Sequence, residues 1–208
     1  MYYHVPMLND EVRDEAYYQA LKKIITPDSI VVDVGSGSGL LSCMAAQLGA
    51  KKVFAIEQRV ELCEIFPEIV RANHFEGIIE LICKSSTDIY TNDLLYYGPN
   101  GEEPPTILVS ETLDSYIIGE GFLSMLYDWR FRNVINENIQ IIPHHGRLHL
   151  QLQQTNYLLN DSLTVHGFDF SPLDKYRLDS YISYNHTLFN SPSLTSFHFF
   201  TPFNKHTG

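Results

Sequence analysis

Two glutamates nine residues apart are the first feature of the sequence that could do chemistry. Glu111 and Glu120 bracket a short segment that also contains Asp114. Two carboxylates brought together bind a flat cation, because a guanidinium presents a planar fork of N–H donors that matches carboxylate oxygens. A bound cation also removes the repulsion between the two negative charges. The alternative is that both glutamates are exposed loop residues, which is the usual place of glutamate in proteins.

A glycine-rich turn is the second such feature. The segment VVDVGSGSGLLS, residues 31–42, places Gly35, Gly37 and Gly39 between a predicted strand and a predicted helix. Glycine suits this position because the chain turns tightly there and a ligand approaches the backbone closely. The spacing G-x-G-x-G lacks the last glycine of the dinucleotide fingerprint, where Leu40 stands. No G-K-[ST] follows, which excludes a P-loop.

An acidic residue ends the second predicted strand. Glu57 follows Gly39 by 18 residues, and a carboxylate at this place accepts hydrogen bonds from the ribose hydroxyls of an adenosine-type cofactor. The turn and this carboxylate together indicate a nucleoside cofactor without a pyrophosphate, of which S-adenosylmethionine is the common example. The alternative is that the glycines only form a tight turn and that Glu57 is a solvated strand end.

The elements that must position these residues alternate between strand and helix. Apolar β-branched runs predict strands, and apolar residues at helical spacing predict helices. The predicted elements are a helix over 9–25, a strand over 30–34, a helix over 39–48, a strand over 52–56, a helix over 60–73, strands over 79–82 and 106–109, and a helix over 121–136. This order is typical of an α/β fold with a parallel, doubly wound sheet, in which ligands bind beyond the carboxyl ends of the strands.

The composition of the chain changes at Pro143. Leucines alternate with polar residues over 148–155, and this period of two predicts an antiparallel strand. The region that follows is rich in Tyr, Phe, Ser, Asn and His, and we interpret it as an incomplete set of strands. The predicted domains are an N-terminal helical segment over 1–29, a Rossmann-like cofactor-binding domain over 30–142 and a partial β-barrel substrate region over 143–208.

Composition and charge limit the classes of function that this chain could have. Of the 208 residues, 44% are hydrophobic, which is enough for a folded core. The net charge of −11 disfavours nonspecific binding to nucleic acid and favours a cationic partner. The cysteines, Cys43, Cys63 and Cys83, stand twenty residues apart, which argues against a disulfide framework and a structural zinc site. With neither a signal peptide nor a membrane-spanning segment in the sequence, we expect a soluble intracellular protein.

Four segments in order resemble the protein arginine methyltransferases, and in particular the monomethylating branch of that family. They are MLNDEVRDEAYYQAL (7–21), VVDVGSGSGLLS (31–42), VFAIE (53–57) and SETLDSYIIGE (110–120). The resemblance implies a Rossmann-like class I methyltransferase fold and S-adenosylmethionine as the cofactor. It also implies methyl transfer to a guanidino nitrogen of arginine in proteins, as monomethylation.

The resemblance implies cofactor-binding roles for the matching positions. These residues are Arg13, Asp33, Gly35, Gly37, Gly39, Glu57, Ser86, Thr87 and Asp88. Arg13 would bind the methionine carboxylate of the cofactor, and Glu57 would hold the ribose. Many family members carry a glutamate at the position of Thr87, next to the adenine, and Asp88 would substitute for it here.

On the substrate side, the resemblance implies that Glu111 and Glu120 hold the arginine guanidinium and that Asp114 tightens the site. The implied partners are arginine-rich proteins such as histones or RNA-binding proteins in the cytoplasm and nucleus, without direct contact to nucleic acid or membrane and without a metal. A longer form would make a dimer or tandem-module contact.

The sequence departs from the family in one respect. It lacks the Thr-His-Trp segment of the family's β-barrel, and its single tryptophan, Trp129, falls in a predicted helix. The chain is therefore expected to be a fragment. Two further hypotheses remain: a catalytically impaired or noncatalytic regulatory protein, and a class I methyltransferase acting on another nucleophile.

Overall fold

The computed structural model describes the backbone of residues 7–114, 119–153, 164–165, 168–169 and 193–202, and the side chains of these residues up to 146. The chain divides into two compact units, one over 1–147 with 200–208 and the other over 148–199. Across the described ranges, no helix is long and apolar enough to cross a membrane.

A parallel sheet flanked by helices makes up the first unit. Its helices are α1 (Glu11–Ile24), α2 (Leu40–Gln47), α3 (Val60–Ala72) and α4 (Phe122–Phe131). Its strands are β1 (Ile30–Val34), β2 (Lys52–Glu57), β3 (Ile79–Cys83), β4 (Tyr96–Gly98), β5 (Gly101–Glu103), β6 (Ile107–Ser110) and β7 (Gln140–Ile142). Two short 3₁₀ helices, Ser86–Asp88 and Thr91–Leu94, follow β3.

The order of the strands places a ligand site at the middle of the sheet. The order is β3–β2–β1–β6–β7, and all neighbours are parallel. The chain runs outward from β1 to β3 and then returns to the other side of β1 with β6. This is a topological switch point, where α/β sheets bind ligands beyond the carboxyl ends of the strands.

Two apolar clusters hold the helices on opposite faces of the sheet. The central strand β1 is buried along its whole length and contributes alternate residues to each cluster. Val32 packs in the cluster that contains Phe122 and Trp129 of α4, whereas Val31 packs in the cluster that contains Phe66 of α3. Burial on both faces explains why the strand is a continuous apolar run rather than an alternating one.

The structure confirms the predicted α/β fold with a parallel sheet and differs in detail. The helix predicted over 121–136 ends at Phe131. The strand β7 was not predicted, because its short run lies just before Pro143, where we had assigned a domain junction. The turn-prone stretch 91–105 contains a 3₁₀ helix and the hairpin of β4 and β5.

One expectation about the cysteines was wrong. A disulfide joins Cys63, near the start of α3, to Cys83, the last residue of β3. A spacing of twenty residues does not show that the beginning of α3 lies beside the end of β3, so this pair could not be predicted from the sequence. Cys43 is a free, half-buried thiol.

Four further strands lie mostly in the second unit, and from residue 147 onward only their backbone is described. They are β8 (His145–Gln153), β9 (Thr164–Val165), β10 (Phe168–Asp169) and β11 (Ser193–Pro202). β9 pairs with β10, and β11 is the neighbour of β8. The backbone of β8 forms the strand that the alternation over 148–155 predicts, and the described strand ends at Gln153. The partial barrel and the three domain bounds stay predictions.

Candidate functional site

A cavity of about 700 Å³ opens at the carboxyl ends of β1, β2 and β6. It brings together most of the residues that the sequence singled out: Arg13, Asp33, Gly35, Gly37, Glu57, Ser86, Glu111 and Glu120. The other four predicted site residues, Gly39, Thr87, Asp88 and Asp114, lie outside the described wall of the cavity. Within the described ranges, no group of three or more His, Cys, Asp or Glu side chains could hold a metal ion.

The glycine turn is shaped by contacts within the protein. The amides of Gly35 and Ser36 both donate to the carbonyl of Ile56, at 2.9 Å. Gly35 has a φ of +71°, and a Cβ there would lie 2.4 Å from Cγ2 of Thr112. A Cβ at Gly39 would lie 2.6 Å from the ring of Phe66. These two glycines are therefore needed for the backbone conformation and for packing.

Glu57 is held in place by the backbone around it. Its carboxylate is buried and accepts three backbone N–H groups: Gly37 at 2.8 Å on one oxygen, and Gln58 at 2.9 Å and Arg59 at 2.8 Å on the other. Each carboxylate oxygen has two acceptor sites, so acceptor capacity remains for hydroxyl donors of a ligand. The turn and the acid are thus one hydrogen-bonded unit.

Asp33 is a buried acid in the wall of the same cavity. It is 1% exposed, and its Oδ2 accepts the Ser42 hydroxyl at 2.6 Å, whereas Oδ1 has no partner among the described residues. Burial raises the pKa of Asp33 to about 7, the Ser42 hydrogen bond opposes this rise, and the charge of Glu57 adds to it. The buried hydroxyl of Ser36 also lacks a described partner. Such orphan polar atoms indicate a ligand or water that completes their hydrogen bonds.

Arg13 links α1 to the stretch from Glu111 to Glu120, which we call the acid segment. Its guanidinium donates to the carbonyl of Met7 and to Oδ1 of Asp14, and its Nη1 lies 3.5 Å from Oε1 of Glu111. The pKa of Glu111 is raised, chiefly by burial and further by the charge of Glu120, while Arg13 opposes the rise. The cavity therefore already contains one guanidinium–carboxylate contact.

The acid segment begins at the end of β6. The Ser110 hydroxyl donates to the carbonyl of Val34 at 2.7 Å, and the Tyr17 hydroxyl donates to the carbonyl of Ser110 at 3.0 Å. Further along, the amide of Gly119 donates to Oδ1 of Asp114 at 3.0 Å. Asp114 thus stabilises the segment between the two glutamates; residues 115–118 within it lie outside the described residues.

The residues predicted to contact the adenine of the cofactor differ in whether they reach the cavity. Ser86 lines the cavity, whereas Thr87 and Asp88 are exposed. The hydroxyl of Thr87 donates to the hydroxyl of Ser85 at 2.9 Å, so its side chain is bonded within the turn. The short 3₁₀ helix therefore presents its first residue to the cavity.

Sequence reasoning missed several residues of the site. Tyr17 and Met125 line the cavity, and Thr112 packs over Gly35. A signal existed for Tyr17, because it follows Arg13 by four residues and must share its helix face. There was no comparable signal for Thr112, just after β6, or for Met125 on α4, because their contacts with the cavity depend on how these elements pack beside β1.

Known proteins with similar sequences are arginine methyltransferases. Protein arginine N-methyltransferase 7 of Cricetulus longicaudatus is 33% identical over 160 residues, which cover 73% of this chain and 22% of that protein. An arginine N(omega)-methyltransferase of Streptomyces achromogenes subsp. streptozoticus is 36% identical over 172 residues, which cover 81% of this chain and 45% of that protein. The chain thus spans less than half the length of these relatives.

The comparison with solved structures also indicates a methyltransferase. A solved structure of PRMT6 with SAH is 26% identical, with a TM-score of 0.61, and the match covers 83% of this chain and 56% of that one. A family model described as Ribosomal protein L11 methyltransferase (PrmA) matches residues 16–93, which include the glycine turn and Glu57. The fold is that of a Rossmann-like class I methyltransferase, and over 73–81% of its length the chain is similar in sequence to arginine methyltransferases.

Proposed function

We propose that this protein transfers the methyl group of S-adenosylmethionine to a guanidino nitrogen of arginine. The observation that carries the proposal is a single cavity lined both by Asp33 and Glu57, near the ends of β1 and β2, and by Glu111 and Glu120, which follow β6. The first pair suits a nucleoside cofactor with a free ammonium group, and the second suits a cationic acceptor. A methyl donor and a guanidinium held in one cavity are the two reactants of this transfer.

The cofactor side fits S-adenosylmethionine in its donors and acceptors. The unpartnered Oδ1 of Asp33 is an acceptor for an ammonium group, and the one acceptor site left on Oε2 of Glu57 suits a ribose hydroxyl. Ser86 borders the same cavity at the predicted adenine side. The bound cofactor would supply an electrophilic sulfonium methyl, while the protein supplies position and electrostatic field.

The acceptor side fits a guanidinium. The pKa of the arginine side chain lies far above neutral pH, so its guanidinium is protonated and a poor nucleophile. Two carboxylates would hold it and draw positive charge toward the nitrogens that do not react, which leaves more electron density on the attacking one. As that nitrogen bonds to the methyl carbon, the carbon–sulfur bond would break, S-adenosylhomocysteine would leave, and the proton of the nitrogen would pass to a carboxylate of the pair or to water. The contact between Arg13 and Glu111 supports this role, since that carboxylate already accommodates a guanidinium.

The relatives suggest two acceptors. Those named protein arginine N-methyltransferase 7 support arginine in a protein, whereas the Streptomyces relative is named for arginine without the word protein. We place protein arginine first, with monomethylarginine as the product, and free arginine second. Histone or RNA-binding protein substrates, and a location in the cytoplasm and nucleus, stay predictions from the resemblance.

A radiolabelled transfer assay with the full chain tests the proposal. We expect label to pass from S-adenosylmethionine to an arginine-rich peptide, and mass spectrometry to find monomethylarginine. Glu111→Gln removes one charge of the pair and should slow transfer about a hundredfold, the size of effect seen when one partner of a close charge pair is lost. Glu102→Gln, at an exposed site on the hairpin, is the matched control and should leave the rate unchanged.

The outcomes separate the hypotheses. Transfer that survives Glu111→Gln unchanged would contradict the acceptor site. Label on free arginine but not on peptide would favour the second acceptor. Binding of S-adenosylhomocysteine without transfer to either acceptor would favour a noncatalytic protein.

A further inference from the structure

The segment that follows β3 is attached to the C-terminal end of α4. Three hydrogen bonds make this attachment: the indole N–H of Trp129 to the carbonyl of Ser86 at 2.8 Å, a guanidinium N–H of Arg132 to the carbonyl of Ile89 at 2.7 Å, and the hydroxyl of Thr91 to the carbonyl of Asn133 at 3.0 Å. The segment 86–91 is therefore fixed from one side by a single helix end.

Trp129 makes the bond nearest to the cavity. Its side chain is fully buried in the cluster that contains Phe122 and Leu126, so its ring has little freedom. Trp129 is not part of the described cavity wall, whereas Ser86, which accepts its N–H, is. The indole thus reaches the cavity only through the backbone of Ser86.

The segment needs such support because its own structure is short. The 3₁₀ helix Ser86–Asp88 has three residues, and helices of this kind have poor hydrogen-bond geometry and occur only in short pieces. Its described local bonds are two backbone bonds, from the amide of Asp88 to the carbonyl of Ser85 at 2.9 Å and from the amide of Ile89 to the carbonyl of Ser86 at 3.5 Å, and the bonds of the Ser85 hydroxyl with Thr87. An isolated turn of this length would sample several positions, and the bond to a buried ring selects one of them.

Resting on the proposed function, we infer that Trp129 is a positioning residue for cofactor binding: its indole N–H fixes the backbone of Ser86 at the adenine side of the cavity. Loss of the N–H would let Ser86 move away from the cavity while the apolar packing of the ring is retained. Loss of this N–H should therefore weaken cofactor binding and leave the rate of the methyl-transfer step unchanged.

The single tryptophan of the chain permits a clean test. Biosynthetic replacement of tryptophan by 3-benzothienylalanine changes only position 129, keeps the ring shape and substitutes a sulfur for the N–H. We expect S-adenosylhomocysteine to bind about fivefold more weakly in calorimetry, the effect of one lost hydrogen bond. The KM for S-adenosylmethionine should rise by a similar factor, with kcat unchanged.

Two further measurements complete the test. Ile139→Val lies in the same apolar cluster and is the control for lost stability, and its cofactor affinity should stay within about twofold of that of the parent, because Ile→Val costs little beyond packing. In the unmodified protein, the emission of Trp129 should change on titration with S-adenosylhomocysteine and follow the calorimetric curve. This second measurement requires no variant to fold.

The results distinguish this inference from the proposed function. If the unmodified protein binds no S-adenosylhomocysteine, both are wrong. If it binds, and the benzothienylalanine protein binds equally well, only the role of Trp129 is overturned. An unchanged emission on binding, or an equal loss of affinity in Ile139→Val, would also overturn that role.

Discussion

The cofactor side and the acceptor side of the cavity are held by different kinds of contact. On the cofactor side, Glu57 is buried and fixed by three backbone N–H groups, and Asp33 is 1% exposed. On the acceptor side, the side chain of Glu111 is 25% exposed and lies 3.5 Å from the guanidinium of Arg13, while Glu120 is exposed. The cofactor side is therefore held by backbone hydrogen bonds and burial, whereas the acceptor side consists of more exposed side chains on a loop.

This difference bears on how each ligand is bound. A preformed side binds its ligand without having to order its own groups, so cofactor affinity depends on backbone geometry. The acceptor side depends on charge, because two acids near one another are stabilised by a cation between them. Backbone changes in the turn should therefore affect cofactor binding, and charge changes in the acid segment should affect transfer.

Among the changes that separate the two sides, we expect Gly37→Val to lower cofactor affinity the most. Gly37 has a φ of +57°, and its amide donates to the charged carboxylate of Glu57 at 2.8 Å. A β-branched residue disfavours this conformation, so the hydrogen bond is weakened. S-adenosylhomocysteine should bind about 10- to 100-fold more weakly, the effect of losing a hydrogen bond to a charged group. Calorimetry measures the dissociation constant.

Gly49→Val is the matched control for that experiment. Gly49 has a φ of +92°, and a Cβ there would meet nothing within 4 Å, so the backbone strain is similar but the site is remote from the cavity. We expect both variants to lose thermal stability and only Gly37→Val to lose cofactor affinity. Equal affinity in the two variants would show that the turn does not form the pocket.

A smaller effect, specific to the cofactor side, is expected from the ionisation of Asp33. The pKa of Asp33 in the folded chain is raised to about 7, so the carboxyl is about half protonated near neutral pH. Only the ionised form pairs with an ammonium group, so cofactor affinity should rise about tenfold between about pH 6 and pH 8. Titrations across this range should find a flat profile in Asp33→Asn. The same slope in both proteins would rule out Asp33 as the titrating group.

The same acid gives a second, ligand-free readout. Its pKa in the folded chain lies above its ordinary value of 3.8, so the folded protein holds the proton more tightly than the unfolded chain. The contribution of Asp33 to the free energy of unfolding is complete below about pH 4 and is lost as the pH rises through about 7. Asp33→Asn should flatten this part of the stability profile, as measured by denaturant unfolding.

The cofactor side could be predicted from the sequence because its signals are local. The strand, the glycine turn and Glu57 occupy adjacent elements, and their spacing follows from the geometry of one strand–helix–strand unit. The structure brings Asp33, Gly35, Gly37 and Glu57 into one wall, as that spacing predicts. Gly39 was predicted in the wall as well, but it packs against Phe66.

The remaining features depend on contacts between distant segments. The bond from Trp129 to Ser86 and the disulfide between Cys63 and Cys83 each join elements whose relative positions are set by the packing of the whole sheet. Nothing in the local pattern marks such pairs. The strand β7 was missed for a related reason, since its short run is a strand only because β6 is available to pair with it.

The central claim is that the acid pair binds a guanidinium next to the cofactor. The most direct measurement is calorimetric binding of an arginine-rich peptide to the protein loaded with S-adenosylhomocysteine, compared with the same peptide in which citrulline replaces arginine. Citrulline keeps the shape of the side chain and removes its charge. We predict that the arginine peptide binds at least about tenfold more tightly and that Glu111→Gln abolishes the difference. Equal binding of the two peptides would contradict the account.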